Sequence, residues 1–130
     1  MIFVDTNYFI RFFLKDIPAQ YEKARGLFDE GAKGNQKLFT STIVIFEIYW
    51  LFSSFYEKTK SEVIDILRKT LSINFIEIRE REIITKAIEI YENSSLDFED
   101  CYNIVYSEDY EAKEFNTFNR KLTNFLKKNR

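Results

Sequence analysis

Histidine is absent from this 130-residue sequence, and cysteine, proline and glycine are scarce. Without histidine, the chain has no imidazole for general acid–base catalysis, for a Ser–His or Cys–His nucleophile pair, or for a histidine-based zinc site. The single cysteine, Cys101, excludes an intrachain disulfide and suits a reducing compartment, so we expect a cytoplasmic location. Any catalytic chemistry therefore depends on Asp, Glu, Lys or Tyr, or on a metal ion held by oxygen ligands.

The few turn-forming residues and the weak overall charge narrow the class of protein further. With 3 Gly and 1 Pro, the chain has little room for linkers or for a turn-rich all-β architecture. A net charge of −2 is too small and of the wrong sign to hold nucleic acid by charge alone, so such a role requires a local basic patch or a metal. The amino terminus lacks a positive region, and Asp5 and Arg11 interrupt its apolar run. We expect no signal peptide, no membrane span, and a single domain over residues 1–130.

Strand-like and helix-like segments alternate along the chain, which predicts an α/β fold with a mainly parallel sheet. The predicted strands are residues 2–4, 37–40, 74–78 and 114–118. The predicted helices are residues 8–14, 18–28, 43–56 with Ser41 or Thr42 as the N-cap, 61–71, 80–91, one that follows Asp97, and 120–128. The first strand is an unbroken apolar run, as in a strand that is covered on both faces of a parallel sheet.

Two carboxylates stand in positions that are unusual for structural residues. Asp5 directly follows the first strand, and ligand crevices of open α/β sheets lie at the carboxyl ends of strands. Glu47 interrupts a helix that is otherwise apolar, and a buried carboxylate must be paired, hydrogen-bonded, metal-bound or neutralised. The alternative for Glu47 is that it pairs with Lys or Arg, or faces solvent at the rim of a dimer interface.

Asp97 and Asp100 form a third acidic element. Helix capping alone accounts for both residues, because Asp97 suits an N-cap and acids favour the first turn of a helix. Together with Asp5 and Glu47, however, these carboxylates would repel one another and raise one another's pKa if they converged. A divalent cation relieves that repulsion, and oxygen ligands without His or Cys favour Mg²⁺ or Mn²⁺.

These residues together resemble the PIN-domain nucleases. The resemblance rests on VDTN at Asp5, IFEIYWL around Glu47, DFEDCYN around Asp100 and TFNRKL from Thr117, in family order over the whole chain. Within the family, the chain is most similar to the VapC-type ribonuclease toxins of VapBC toxin–antitoxin pairs. The resemblance implies a three-layer α/β/α sandwich with a sheet of four to five strands.

The resemblance also assigns roles to individual residues. It implies that Asp5, Glu47 and Asp100 bind the metal ion, with Asp97 as an accessory acid and Thr117 as a polar residue that assists the site. The family's fourth acid is replaced here by Asn119, whose amide oxygen adds no negative charge. The fourth position is therefore where this chain departs from the family pattern.

The implied function is metal-dependent cleavage of RNA by the toxin of a type II toxin–antitoxin pair, with a homodimer and a cognate antitoxin as partners and no membrane. The alternative is a catalytically weak or inactive PIN-like interaction module that binds a metal or a basic partner segment. RNA contacts are expected from Arg11, Lys15, Arg120 and Lys121, whereas Lys127, Lys128 and Arg130 are interpreted as a solvated helix face. Large apolar residues surround most of the helix at 46–56, as expected of a surface that a partner covers.

Overall fold

The computed structural model describes residues 1–129, so the interpretation of Arg130 lies outside the described residues. The chain divides into two compact units, Met1–Arg81 and the part that begins at Glu82. The strands are β1 (Ile2–Phe3), β2 (Leu38–Phe39) and β3 (Ile76–Glu77). The helices are α1 (Thr6–Leu14), α2 (Pro18–Ala32), α3 (Thr42–Trp50), α4 (Lys60–Leu71), α5 (Arg81–Glu92), α6 (Phe98–Asp109) and α7 (Arg120–Asn129), with a π-helical turn at Leu51–Phe55 after α3.

The sheet of the first unit is parallel, with strand order β1-β2-β3, and this confirms the α/β prediction. The prediction of four to five strands is wrong for the described residues, where three strands are found. Residues 114–118 form no strand, although burial alternates along them, with Phe115 and Thr117 half-buried and Phe118 fully exposed. A β-strand forms only when its backbone hydrogen-bonds to a neighbouring strand. Alternating burial of side chains does not by itself supply those hydrogen bonds.

The expectation that the first strand is covered on both faces is also wrong. Val4 is 1% exposed, but Phe3 is 47% exposed. Phe3 pairs in register with Phe39, whose ring lies edge-on to it at 5.4 Å, and Phe39 in turn pairs with the exposed Glu77. The apolar run at residues 2–4 therefore reflects an aromatic pair on an accessible face of the sheet.

Helices α2 and α3 begin where the sequence predicts, whereas α1 begins two residues and α4 one residue earlier than predicted. Pro18 opens α2 at its first position, and Ser41 caps α3 by accepting a hydrogen bond from the Val44 amide at 3.3 Å. Thr59 caps α4 together with Glu62 in a reciprocal capping box, a T-x-x-E signal that places the start of α4 before residue 61. α1 packs against α2 and α3, and α3 packs against α4.

Helix α3 is apolar on all sides, and the structure divides its residues between core and surface. Ile45, Ile48 and, in the π-helical turn, Phe52 are almost fully buried. Ile43 and Trp50, on the opposite face, are 71% and 57% exposed. Within the predicted partner-covered segment at 46–56, Ile48 and Phe52 are buried, Trp50 and Phe55 are exposed, and the other large apolar residues are half-buried.

Arg81 fixes the connection that leads into β3. Its guanidinium donates hydrogen bonds to the carbonyls of Leu71, Ile73 and Ile76, and burial lowers its pKa. These carbonyls run from the end of α4 to the start of β3, so one cation ties the two elements together; the Ile73 carbonyl also accepts from the Ile76 amide at 3.2 Å.

The second unit contains α6, α7 and nearly all of α5. Ile84, Ala87, Ile88 and Tyr91 form the buried stripe of α5, and Ile83 beside them is half-buried. Tyr91 contacts Phe98 of α6, with ring centroids 5.6 Å apart. Across residues 1–129, no helix is long and apolar enough to cross a bilayer.

Candidate active site

The carboxyl end of β1 holds Asp5 in a fixed position. The Val4 amide donates to the Phe39 carbonyl at 2.8 Å, and the buried Thr40 hydroxyl donates to the Val4 carbonyl at 2.7 Å. The chain then turns directly into α1, and Asp5 stands at the N-cap with an exposed side chain. Asp5 therefore lies at the carboxyl edge of a parallel sheet, as its place in the sequence predicts.

The side chains next to this helix start leave polar atoms without partners. Asp5 is a good capping residue by type, yet its carboxylate makes no capping hydrogen bond. The Thr6 hydroxyl is buried, with the residue only 4% exposed, and it has no hydrogen-bond partner within the described chain. A buried orphan hydroxyl beside an unused carboxylate is a feature that a bound ion or water would explain. Sequence reasoning missed Thr6, and its position at the first residue of α1, directly after Asp5, was the available signal.

Glu47 lies on the exposed face of α3, between Ile43 and Trp50 at helical spacing. It therefore does not interrupt a wholly buried face: Ile43 and Trp50 beside it are exposed, whereas Val44 is buried. Within residues 1–129 its side chain has no cationic partner, so the alternative that pairs it with Lys or Arg is not what the structure contains. The other alternative, a solvent-facing residue near an apolar interface, fits its surroundings.

Asp97 and Asp100 stand in the first turn of α6, in the second unit. Asp97 occupies the N-cap position, but its side chain makes no capping hydrogen bond. The pKa of Asp100 is raised, first by partial burial and then by the negative charge of Asp97. Helix capping therefore explains the position of Asp97, but the Asp97 carboxylate does not act as a cap.

Thr117 and Asn119 are brought together at the start of α7. The Thr117 hydroxyl accepts a hydrogen bond from the Asn119 amide at 3.1 Å, and Asn119 Oδ1 accepts from the Leu122 amide at 3.0 Å. Asn119 is thus the N-cap of α7, and its amide oxygen is engaged in capping. Its remaining polar atom is an NH₂ group, which donates hydrogen bonds and cannot ligate a metal.

The acids are of the residue type that binds Mg²⁺ or Mn²⁺, but within residues 1–129 they are not grouped as a metal site requires. Asp5, Glu47, Asp97 and Asp100 have no ion pair or side-chain hydrogen bond to residues 1–129. Hard carboxylate oxygens without His or Cys suit these ions, so the donor set fits. Within the same residues, no group of three or more Asp, Glu or Cys side chains is arranged to hold a metal.

The basic residues that were expected to contact RNA differ in their intramolecular contacts. Arg11 binds both carboxylate oxygens of Asp16, at 2.9 and 3.1 Å, and the Lys15 ammonium lies 5.5 Å above the Tyr21 ring. Lys121 donates to the Ser95 carbonyl at 3.3 Å, so it does not pair with the acids of α6. The two candidates in α1 therefore already have intramolecular contacts.

The parallel sheet and the helices that alternate with its strands define the class as an α/β domain. The PIN-domain family model matches residues 2–128, and the chain belongs to the PIN-domain family. PIN domains are generally nucleases that act on RNA or other nucleic acid and use divalent metals, which supports a ribonuclease-type function. No curated protein and no solved structure gives a significant match to the chain.

Proposed function

We propose that the protein is a Mg²⁺- or Mn²⁺-dependent endoribonuclease in which Asp5, Glu47 and Asp100 hold the metal ion. The observation that carries the proposal is that these carboxylates have no partner within residues 1–129, although Asp5 and Asp97 stand at helix starts where capping was available. Carboxylates that share a site repel one another; the pKa of Asp100 is raised first by partial burial and then by the negative charge of Asp97. A divalent cation converts that repulsion into binding.

The chemistry proposed is hydrolysis of a phosphodiester bond. A bound Mg²⁺ or Mn²⁺ supplies a Lewis acid for the scissile phosphate and lowers the pKa of the attacking water. The water oxygen would form a new bond to phosphorus as the P–O3′ bond breaks and O3′ takes up a proton, leaving a 5′-phosphate and a 3′-hydroxyl. Asp97 adds a second carboxylate to the first turn of α6 and offsets the charge that Asn119 lacks, while Thr117 orients Asn119 through the hydrogen bond that it accepts.

A matched pair of substitutions in α6 tests this proposal. Asp100→Asn, like Asp5→Asn, should abolish Mn²⁺-dependent cleavage of a structured RNA and weaken Mn²⁺ binding measured by calorimetry. Asp109→Asn, an exposed carboxylate at the other end of the same helix, should do neither. Cleavage that persists in Asp5→Asn, or that needs no divalent metal, would contradict the proposal.

We further propose that the protein is the toxin of a type II toxin–antitoxin pair and forms a homodimer. The exposed apolar residues of α3 and the turn after it, Ile43, Trp50 and Phe55, support a partner-covered surface. A cognate antitoxin would cover such surfaces and place a basic residue against the acids. Sedimentation of the isolated chain at micromolar concentration tests the dimer, since a monomer there would exclude it. A neighbouring reading frame for a small DNA-binding protein with a flexible tail would support the antitoxin.

A second candidate function is supported by Asn119. Because its amide oxygen caps α7, the fourth acidic position contributes neither a charge nor an available oxygen. A weak or inactive PIN-like interaction module would have this feature. Mn²⁺ titration separates the two functions, because a decayed site binds the metal weakly and cleaves no RNA at any metal concentration.

A further inference from the structure

A groove of about 620 Å³ lies within the second unit, between α7 and the loop at residues 93–96. Lys121 links its two walls, because its ammonium donates to the Ser95 carbonyl at 3.3 Å. Along α7, Lys121, Asn124, Phe125 and Lys128 follow one another at helical spacing, so they share the face that lines the groove. We call this feature the α7 groove.

The charge of the α7 groove is concentrated and uncompensated. No Asp or Glu follows Glu114 in the sequence, whereas the chain as a whole has a net charge of −2. Lys127 and Lys128 line the groove, are exposed, and have no carboxylate partner within residues 1–129. Leu122 is the one buried residue of α7 within residues 1–129, so packing against a core does not explain the positive charges of this helix. The solvated-face interpretation of Lys127 and Lys128 does not explain why they border a cavity.

The rest of the lining suits a nucleic-acid strand better than a simple anion. Asn124 and Ser95 are exposed and offer neutral hydrogen-bond donors, of the kind that contact phosphate and sugar oxygens. Phe125 is half-buried and presents an aromatic surface in the same groove. A basic track with an aromatic platform is the usual means of holding single strands without strong sequence preference.

The loop wall of the groove is continuous in sequence with the acids of α6. This wall ends at Leu96, and the next residue is Asp97. From this juxtaposition we propose that the α7 groove binds the phosphate backbone of single-stranded RNA and delivers the strand to the first turn of α6. The inference rests on the proposed nuclease function, since it names the surface that holds that enzyme's substrate.

RNA binding without divalent metal tests the groove separately from catalysis. The protein is titrated into a fluorescently labelled oligouridylate in EDTA, and anisotropy gives the affinity at several salt concentrations. Lys127→Ala/Lys128→Ala should lower the salt slope by about 1.4 and the affinity by about tenfold near 0.15 M salt, since each single-strand phosphate contact contributes about 0.7 to that slope. Because no cleavage occurs in EDTA, an inactive metal site leaves this result unchanged.

The matched control removes two lysines elsewhere. Lys33→Ala/Lys37→Ala makes the same charge change at exposed positions of the first unit and should leave affinity and slope near those of the parent. Equal losses in the two double variants, or no loss in either, would overturn the proposal. Displacement of the RNA by a polyglutamate peptide at equal charge concentration would also overturn it, because the groove would then be a general anion site. Thermal unfolding confirms that each variant is folded.

Discussion

Replacing Asn119 by Asp should add an acid to the candidate site at little cost in stability. Asn119 Oδ1 caps α7 by accepting from the Leu122 amide at 3.0 Å. Asp and Asn are about equally good N-caps, so the free energy of unfolding of Asn119→Asp should stay within about 0.5 kcal/mol of the parent. A carboxylate has two oxygens, and one can cap while the other remains available to a metal.

The companion variant Asn119→Ala measures the cap itself. Losing an N-cap side chain costs about 1 kcal/mol, which lowers the melting temperature of a chain of this length by about 4 °C for a single cooperative transition. Calorimetric melting of the parent, Asn119→Asp and Asn119→Ala without metal should therefore give two similar values and one lower value. A lowered melting temperature for Asn119→Asp equal to that of Asn119→Ala would refute the capping geometry.

The metal titration then tests whether the position belongs to the site. Asn119→Asp should bind Mn²⁺ on the order of tenfold more tightly, as expected when a carboxylate is gained near a metal, and should cleave RNA faster at low metal concentration. If Asn119→Asp melts like the parent but its Mn²⁺ affinity is unchanged, the fourth position is purely a helix cap in this protein. That result would leave Asp5, Glu47 and Asp100 untouched as candidate ligands.

The core of the first unit offers two further tests. Gly31→Ala should destabilise by about 1–3 kcal/mol, because a Cβ there would lie 2.6 Å from Leu38 Cδ1, whereas Gly26→Ala in the same helix meets nothing within 4 Å and should stabilise by about 0.5–1 kcal/mol. Urea unfolding measures both, and an equal sign for the two changes would contradict the packing. Arg81→Met should lower the free energy of unfolding by roughly 3 kcal/mol by leaving carbonyl groups at the entry to β3 without a donor, while Arg79→Met, at an exposed position, should be nearly neutral.

Helix starts in this chain could be predicted from sequence because capping is local. Ser41 and Pro18 are recognisable by residue type, and the structure uses both as predicted. Thr59 with Glu62 was equally visible as a capping box and would have moved the start of α4 one residue earlier than predicted. These signals need no knowledge of distant contacts, which is why they are reliable.

The sheet could be predicted only in part, because pairing is not local. β1, β2 and β3 each fall inside a predicted strand but shrink to two residues. Burial alternates along residues 114–118, but they form no strand. Phe3 belongs to an apolar run, yet it is not covered. Which apolar segment finds a neighbour depends on tertiary packing, and the pattern of one segment does not contain that information.

The candidate site shows the same limit. The positions of its residues at element boundaries could be predicted from local sequence, whereas their side-chain contacts could not. Sequence located Asp5, Asp97 and Asn119 at the boundaries of elements, and the structure has each of them at a helix start. It could not tell which side chains would cap, since Asp and Asn suit that position equally. It also gave no indication that the Thr6 hydroxyl would be buried without a partner.

The use of these helix starts is the strongest physical argument for function. Asp5, Asp97 and Asn119 stand at equivalent positions of α1, α6 and α7, yet Asn119 alone of the three uses its side chain as a cap. Each unused cap forgoes about 1 kcal/mol that the residue type could supply. Stability alone favours capping in all three helices, so the two unused caps support the proposal that the aspartates serve a function. Asn119, the residue that does cap, is also the position where the resemblance implies a replaced acid, so the pattern agrees with the proposed metal-binding role of the two aspartates.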